Sequence, residues 1–136
     1  MVEFDGPFNP NSNLAWDSDR ELLWVSGTTT DIVGIDREGN RIAEVDRNGL
    51  RIYGLSYWQD DPDGCSLFIY NKISDGADQN VHKVNPENGE MHLVRIIDPD
   101  LDGTPNGSFI TSQYDRYSWV FISVVNVGPD DRIDVW

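Results

Sequence analysis

The feature that most constrains the fold is a set of short apolar runs that recurs along the chain. Each run is rich in β-branched or aromatic residues and is bounded by Asp, Asn, Gly or Pro, as β-strands are. Apolar residues at helical spacing are nearly absent. The runs fall into three units: residues 13–17, 22–27, 31–36 and 41–46; residues 53–58, 66–72, 80–85 and 91–96; and residues 107–112, 119–126 and 131–136. We therefore predict an all-β chain.

The repeat also predicts how the strands are arranged. The corresponding positions Leu14, Leu55 and Phe109 lie 41 and then 54 residues apart. Four short strands in each unit of about 40 to 50 residues are typical of a β-propeller blade. Many runs are apolar on both faces, as they must be in blades that neighbours cover on both sides. We interpret the chain as a single β-propeller-type domain, 1–136, of about three four-stranded antiparallel blades, with units at approximately 11–50, 51–97 and 104–136.

The third unit has three runs, and its missing fourth strand predicts an assembly. Residues 1–5, "MVEFD", match the character of the fourth run of the first unit, "AEVD", and are expected to act as a closing strand that covers an exposed sheet edge. Propellers typically contain four to eight blades. Three blades therefore predict either a homodimer that forms one six-bladed ring, with each closing strand in the partner's last blade, or one half of a longer protein.

The composition restricts the partners. The chain has 24 acidic and 10 basic residues, a formal net charge of −14, and no basic stripe, so neither nucleic acid nor an anionic membrane surface is an expected partner. No apolar run is long enough to insert into a membrane. The acidity favours solubility and leaves affinity for divalent cations or basic partners open. Cys65 is the single cysteine, so we expect a free, buried thiol.

The sharpest local motif is "DPDLDGTPN", residues 98–106, which fits an acidic calcium-binding loop. The predicted calcium ligands are the carboxylates of Asp98, Asp100 and Asp102, the backbone carbonyl of Thr104 and the side chain of Asn106. The position that carries a bidentate Glu in an EF-hand is apolar here, and no helices are predicted on either side. The alternative is a polar connector between the second and third blades.

The remaining polar motifs predict structure more than chemistry. Residues 59–66 contain Asp-Pro-Asp-Gly, which is ordinary turn composition. His82 and His92 lie in predicted strands without the spacing of metal ligands or of a catalytic base. Most tryptophans lie inside strand runs and are interpreted as blade core. The exception is Trp58, which with Tyr57 lies beside the acidic turn and is a candidate for a ligand surface.

The unit "LAWD…LLWVSG…IVGID" and the closing stretch "GSFITSQYDRYSWVFISVVNVGPDDRIDVW" resemble the propeller-like repeat regions of large secreted bacterial proteins that carry C-terminal sorting tails. The resemblance covers nearly the whole chain and rests on structural motifs. It implies a β-propeller fold and a secreted or cell-surface location, and it carries over no catalytic residues.

Two functions are compatible with this fold, because propellers host both. The first is a non-catalytic binding or scaffold module with an unknown ligand. The second is a hydrolase or lyase with an acidic, metal-dependent site at the channel mouth. The first strands of the units begin "SNLAW", "YGLSY" and "GSFIT". The side chains in these stretches are too small and apolar to suggest a set of catalytic residues, which favours the binding or scaffold module.

The calcium loop gives a direct prediction. If the aspartates of residues 98–106 bind calcium, the ion should raise the melting temperature by mass action. The substitution Asp100→Ala should abolish that increase. Thermal unfolding with and without calcium measures both effects, and a flat calorimetric titration of the native chain would favour the polar connector instead.

Overall fold

A computed structural model of the chain describes residues 3–72, 79–97 and 103–136. These residues contain β-strands and no helix, which confirms the prediction of an all-β chain. The described part accordingly has no long apolar helix of the kind that crosses a membrane. The strands are β1 (Asn13–Asp17), β2 (Leu22–Ser26), β3 (Ile32–Ile35), β4 (Arg41–Val45), β5 (Arg51–Tyr57), β6 (Leu67–Lys72), β7 (Gln79–Val84), β8 (Met91–Ile96), β9 (Thr104–Asp115), β10 (Ser118–Asn126) and β11 (Asp131–Val135).

The strands form three antiparallel sheets that follow one another along the chain. The first sheet has the order β1-β2-β3-β4, the second β5-β6-β7-β8 and the third β9-β10-β11. The described residues of the third sheet therefore include no fourth strand, as the sequence predicted. The three sheets do not close into a ring. The largest departure from the predicted strands is β9, which begins at Thr104 instead of residue 107.

The sheets approach one another most closely along their first strands, with β5 between β1 and β9. The Asn13 amide donates a hydrogen bond to the Ile52 carbonyl at 3.3 Å. The hydroxyl groups of Ser56 and Ser108 share a hydrogen bond of 2.9 Å. Gly54 has no room for a side chain, because a Cβ there would lie 2.6 Å from the Ser108 backbone nitrogen. The small residues of the first strands are therefore needed for this close approach.

We call the side of a sheet that faces the next sheet along the chain its front face, and the opposite side its back face. Residues paired across neighbouring strands share a face. On the front face of the first sheet, Ala15 pairs with Trp24, and both are buried. They pack in one cluster with Leu55 and Ile69 of the second sheet. Leu50, from the connection between these two sheets, completes the cluster.

The third sheet covers the front face of the second sheet in the same way. Phe68 and Tyr70 of the second sheet pack with Ile110 and Val125 of the third. Ile97, from the connection between the two sheets, is fully buried among them. Each covered junction therefore consists of a front face, a back face and one apolar residue from the connection.

The N-terminal segment, residues 3–12, lies on the back face of the first sheet. Phe8 packs against a buried cluster formed by Val25, Val33 and Ile35. The described residues of this segment form no strand in the single chain. Pairing of the closing strand with a partner's last blade therefore stays a prediction.

Disruption of the packing between the first and second sheets, which we call the first junction, should be strongly destabilising. Trp24 has no exposed surface and packs against Gly34 of the neighbouring strand. Trp24→Ala is expected to lower the free energy of unfolding by about 3–5 kcal/mol, because it leaves a large cavity. Trp16→Ala is a matched control, since Trp16 lies in the adjacent strand and is 43% exposed, and it should cost clearly less. Denaturant unfolding measures both, and equal losses would contradict this packing.

Candidate docking face on the third sheet

The pairing of strands assigns each residue of the third sheet to one of two faces. Ile110 pairs with Phe121, and Ser108 pairs with Ser123. Ile110 and Phe121 pack in the second junction, and Ser108 bonds to the second sheet. These four residues therefore define the back face of the third sheet, which is covered.

No sheet covers the front face of the third sheet in the described structure, although Val120 on this face is buried. Ile122 lies opposite both Phe109 and Val135, and Val124 lies opposite Ile133. These five residues share the front face, and we call them the docking face. Phe109 is 61% exposed and Ile133 is 67% exposed. Val135 is 40% exposed.

The front faces of the other two sheets show what the docking face lacks. Trp24 on the front of the first sheet and Tyr70 on the front of the second are fully buried, because a following sheet covers each of them. A contiguous exposed apolar patch of this kind is typical of a protein–protein contact surface. The docking face therefore has the character of an inter-sheet core with one side removed.

A shallow groove of about 190 Å³ runs along the first strands of the three sheets. Its lining includes Leu14, Trp16, Tyr57 and Phe109, and no carboxylate, histidine or basic residue of the described chain lines it. The groove offers mainly apolar contact, and its polar side chains are the hydroxyl groups of Ser56, Tyr57 and Ser108.

A buried aspartate organises the turn between β1 and β2. The side chain of Asp17 accepts hydrogen bonds from the backbone amides of Asp19 and Arg20, from the Arg20 guanidinium and from the Trp24 indole, all at 2.9–3.0 Å. Burial by itself would raise the pKa of Asp17, but these hydrogen bonds to the carboxylate outweigh it and hold the pKa below its ordinary value. The carboxylate stays ionised and holds the turn.

A second aspartate has the same role in the turn between β5 and β6. Asp61 accepts hydrogen bonds from the backbone amides of Asp63 and Cys65. The Lys83 ammonium lies 3.1 Å from Asp61 Oδ2 and 2.6 Å from Asp63 Oδ2. This arrangement agrees with the interpretation of residues 59–66 as ordinary turn chemistry.

Polar side chains of the turns also join the first sheet to the second. Arg20 forms an ion pair with Glu87 at 2.7 Å. The Tyr57 hydroxyl and the Gln59 amide each donate a hydrogen bond to Asp19, both at 2.7 Å. Burial and the adjacent Asp19 carboxylate raise the pKa of Tyr57 well above its ordinary value. The sequence predicted Tyr57 as part of a ligand surface, but its hydroxyl forms a hydrogen bond between the first and second sheets.

Trp58 is also part of a junction. Its ring packs against Phe68 and Trp119, with centroid distances of 5.9 and 5.8 Å, and its buried indole nitrogen has no hydrogen-bond partner among the described residues. The interpretation of the other tryptophans as core holds for Trp24. It does not hold for Trp16 and Trp119, which are 43% and 37% exposed.

The predicted calcium loop is only partly covered by the structure. Three of its ligands lie outside the described residues: Asp98, Asp100 and Asp102. The other two, Thr104 and Asn106, lie in β9, where Thr104 pairs with Asn126 of β10. Within the described part of the chain, no group of three or more His, Cys, Asp or Glu side chains is placed to hold a metal ion. Calcium binding stays a prediction.

The histidines and the cysteine have structural surroundings. The Asn71 amide donates a hydrogen bond to His82 Nδ1 at 2.7 Å, and burial lowers the pKa of His82. His92 lies 3.1 Å from the carboxylate of Glu90. Cys65 is free and buried, as the sequence predicted, and burial raises the pKa of its thiol. None of these groups is aimed at the docking face or the groove.

Sequence reasoning missed the docking face, because the apolar runs of the third unit suggested strands covered on both sides. The signal that locates it is the pairing of strands. Once Ile122 is opposite Phe109 and Val135, three apolar side chains must lie on the face opposite Ile110 and Phe121.

Comparison with known proteins assigns no family to the chain. No protein-family model matches the sequence, and no curated protein matches it either. The function is therefore argued from the geometry.

The state of His82 gives a testable pH dependence. Because the pKa of His82 is lower in the folded chain than its ordinary value near 6.5, the unfolded state binds more protons below about pH 6.5. The contribution of His82 to stability is therefore present at pH 7 and is lost as the pH falls through the folded pKa. His82→Gln, which can still accept a hydrogen bond from Asn71, should remove this part of the pH dependence. Urea unfolding at a series of pH values measures it, and an unchanged pH profile in the variant would contradict the assignment.

Proposed function

We propose that the chain is a non-catalytic binding and scaffold module with the architecture of a partial β-propeller. The observation that carries this proposal is the docking face, an apolar front face on a sheet whose back face is part of a packed core. The module acts by presenting this face to the back face of a further β-sheet. Docking completes a junction of the kind that already occurs twice within the chain.

The energetics support docking at this face. Full burial of a large apolar side chain contributes about 1.5–3 kcal/mol. Phe109 and Ile133 are each more than half exposed, so each contributes about 1–2 kcal/mol when a sheet covers it. Further burial of Ile122, Val124 and Val135 adds to this.

The arrangement of the sheets supports the propeller architecture. Successive sheets pack front to back, and their first strands lie side by side. A propeller repeats this arrangement four to eight times around an axis. A sheet added at the docking face would continue the same series.

The surroundings of the polar residues support a module without catalysis. In the described structure, the best-buried carboxylates, Asp17 and Asp61, are held by backbone amides and by basic side chains. The groove along the first strands has no carboxylate, histidine or basic side chain in its described lining, and the hydroxyl of its Tyr57 is bonded to Asp19. No observation in the described structure favours the hydrolase or lyase.

The location of the protein is a further part of this proposal. The resemblance of the sequence to propeller-like repeats of large secreted bacterial proteins favours a secreted or cell-surface location. A scaffold module of the proposed kind fits such multi-unit proteins, because each unit contributes sheets to a larger assembly.

An apolar-surface dye tests the docking face. Under conditions in which light scattering gives the 15.4 kDa single chain, the native chain should enhance the fluorescence of Nile red, an uncharged apolar dye. Ile133→Lys should remove most of this enhancement, because it places a charge at the most exposed residue of the docking face. It should leave the melting temperature within about 2 °C of the original, since the site is exposed.

The matched control is Tyr114→Lys. Tyr114 is 66% exposed and lies in β9 outside the docking face, so this variant should retain the enhancement. Equal fluorescence in Ile133→Lys and the original chain would contradict the proposed function, and so would an equal loss in both variants.

A further inference from the structure

We propose that the sheet that covers the docking face is the first sheet of a second copy of this chain. The inference rests on the proposed function, because it names the partner of the docking face. The third sheet of each copy packs on the back of the partner's first sheet. Two such junctions, related by a two-fold axis, join two chains into one ring of six sheets.

The exposure of Leu14 supports this partner. Leu55, at the same position of the second unit, is 3% exposed because it packs in the junction with the first sheet. Leu14 is 59% exposed, since no sheet precedes the first one within the described chain. Leu14 pairs with Val25 on the back face. A sheet placed there would bury Leu14 as Leu55 is buried.

The N-terminal segment already supplies the connection residue that a junction needs. Leu50 and Ile97 come from the segments that precede the second and third sheets, and each is buried in its junction. Phe8 comes from the segment that precedes the first sheet and packs on its back face. The centre of this back face is already buried beneath the N-terminal segment, so the partner's third sheet packs on Leu14 and on the outer side of residues 3–12.

Charged residues in the turns support the same pairing of the third sheet with the partner's first sheet. In the first junction, Arg20 of the turn between β1 and β2 pairs with Glu87 of the turn between β7 and β8. Glu38 has the place of Glu87 in the turn between β3 and β4, since each donates its amide to a side chain two residues earlier. Arg116 lies in the turn between β9 and β10. In the proposed junction, Arg116 and the partner's Glu38 repeat the pairing of opposite charges.

The net charge opposes this association and predicts its salt dependence. Each chain has a formal charge of −14, so two copies repel each other at long range. At 0.15 M salt, charges more than about 8 Å apart are largely screened. Association should therefore strengthen as salt is raised from low concentration, which is the opposite of an interface held by exposed ion pairs.

Sedimentation and light scattering of the full chain test the proposal. The original chain should approach twice its 15.4 kDa mass as concentration increases. Ile133→Lys on the docking face and Leu14→Lys on the first sheet should each raise the dissociation constant about 100-fold or more, because each places a charge in both junctions. Tyr114→Lys, outside both surfaces, should dimerise like the original chain.

A mixture of the two disrupted chains identifies which faces meet. In Ile133→Lys the first sheet is intact, and in Leu14→Lys the third sheet is intact. A mixed pair therefore has one intact junction, and neither variant alone has any. The equimolar mixture should associate at least about tenfold more tightly than either variant by itself.

Other outcomes overturn the inference in distinguishable ways. If Leu14→Lys dimerises normally and Ile133→Lys does not dimerise, the docking faces of the two chains contact each other instead. A single chain at every concentration would exclude a second copy as the partner. If the dye experiment still detects the docking face, the proposed function stands with a different sheet as its partner.

Discussion

The rest of the structure depends on one constraint, which is that each sheet must be covered on its apolar faces. Hydrogen bonds between strands satisfy the polar groups of the backbone. They do not remove the apolar side chains on either face of the sheet from water. The second sheet is covered on both sides, and its Leu67, Ile69 and Tyr70 have no exposed surface. The first sheet is covered by the second sheet and by residues 3–12. The third sheet is covered on its back face, and the docking face follows from that difference.

The acidic composition is compatible with this core because many carboxylates lie at the ends of the sheets. Asp17, Asp61 and Asp115 each accept a hydrogen bond from a backbone amide in the turn that follows a first strand. Two of them also bind a basic side chain, Arg20 or Lys83. Negative charge is thereby placed where local amides and cations stabilise it, and the surfaces between sheets remain apolar.

The strands could be predicted from sequence because their pattern is local. The bounds of β1 and β8 agree with the predicted runs, since turn residues mark both ends. The start of β9 could not be predicted, because Pro105 and Asn106 favour a turn by themselves. Thr104, Pro105 and Gly107 pair with β10 across a bulge near Val125, and this tertiary pairing outweighs the local preference.

The candidate site was less predictable than the strands, because it depends on which residues meet across sheets. The hydrogen bond between Tyr57 and Asp19 joins two sheets whose relative position no local pattern specifies. The docking face likewise becomes visible only when the pairing of Ile122 with Phe109 is known. The composition of the third unit resembles that of the others, and only its cover differs.

Hydrogen–deuterium exchange of the dilute chain tests the central claim most directly, because amide protection reports how strongly each sheet is held. The account predicts slow exchange in β6 and β7, which lie in the sheet covered on both faces. It predicts faster exchange in β10 and β11, which lie in the sheet covered on one face. Protection of β10 and β11 equal to that of β6 and β7 in the single chain would contradict the claim that cover by a neighbouring sheet is what stabilises each sheet.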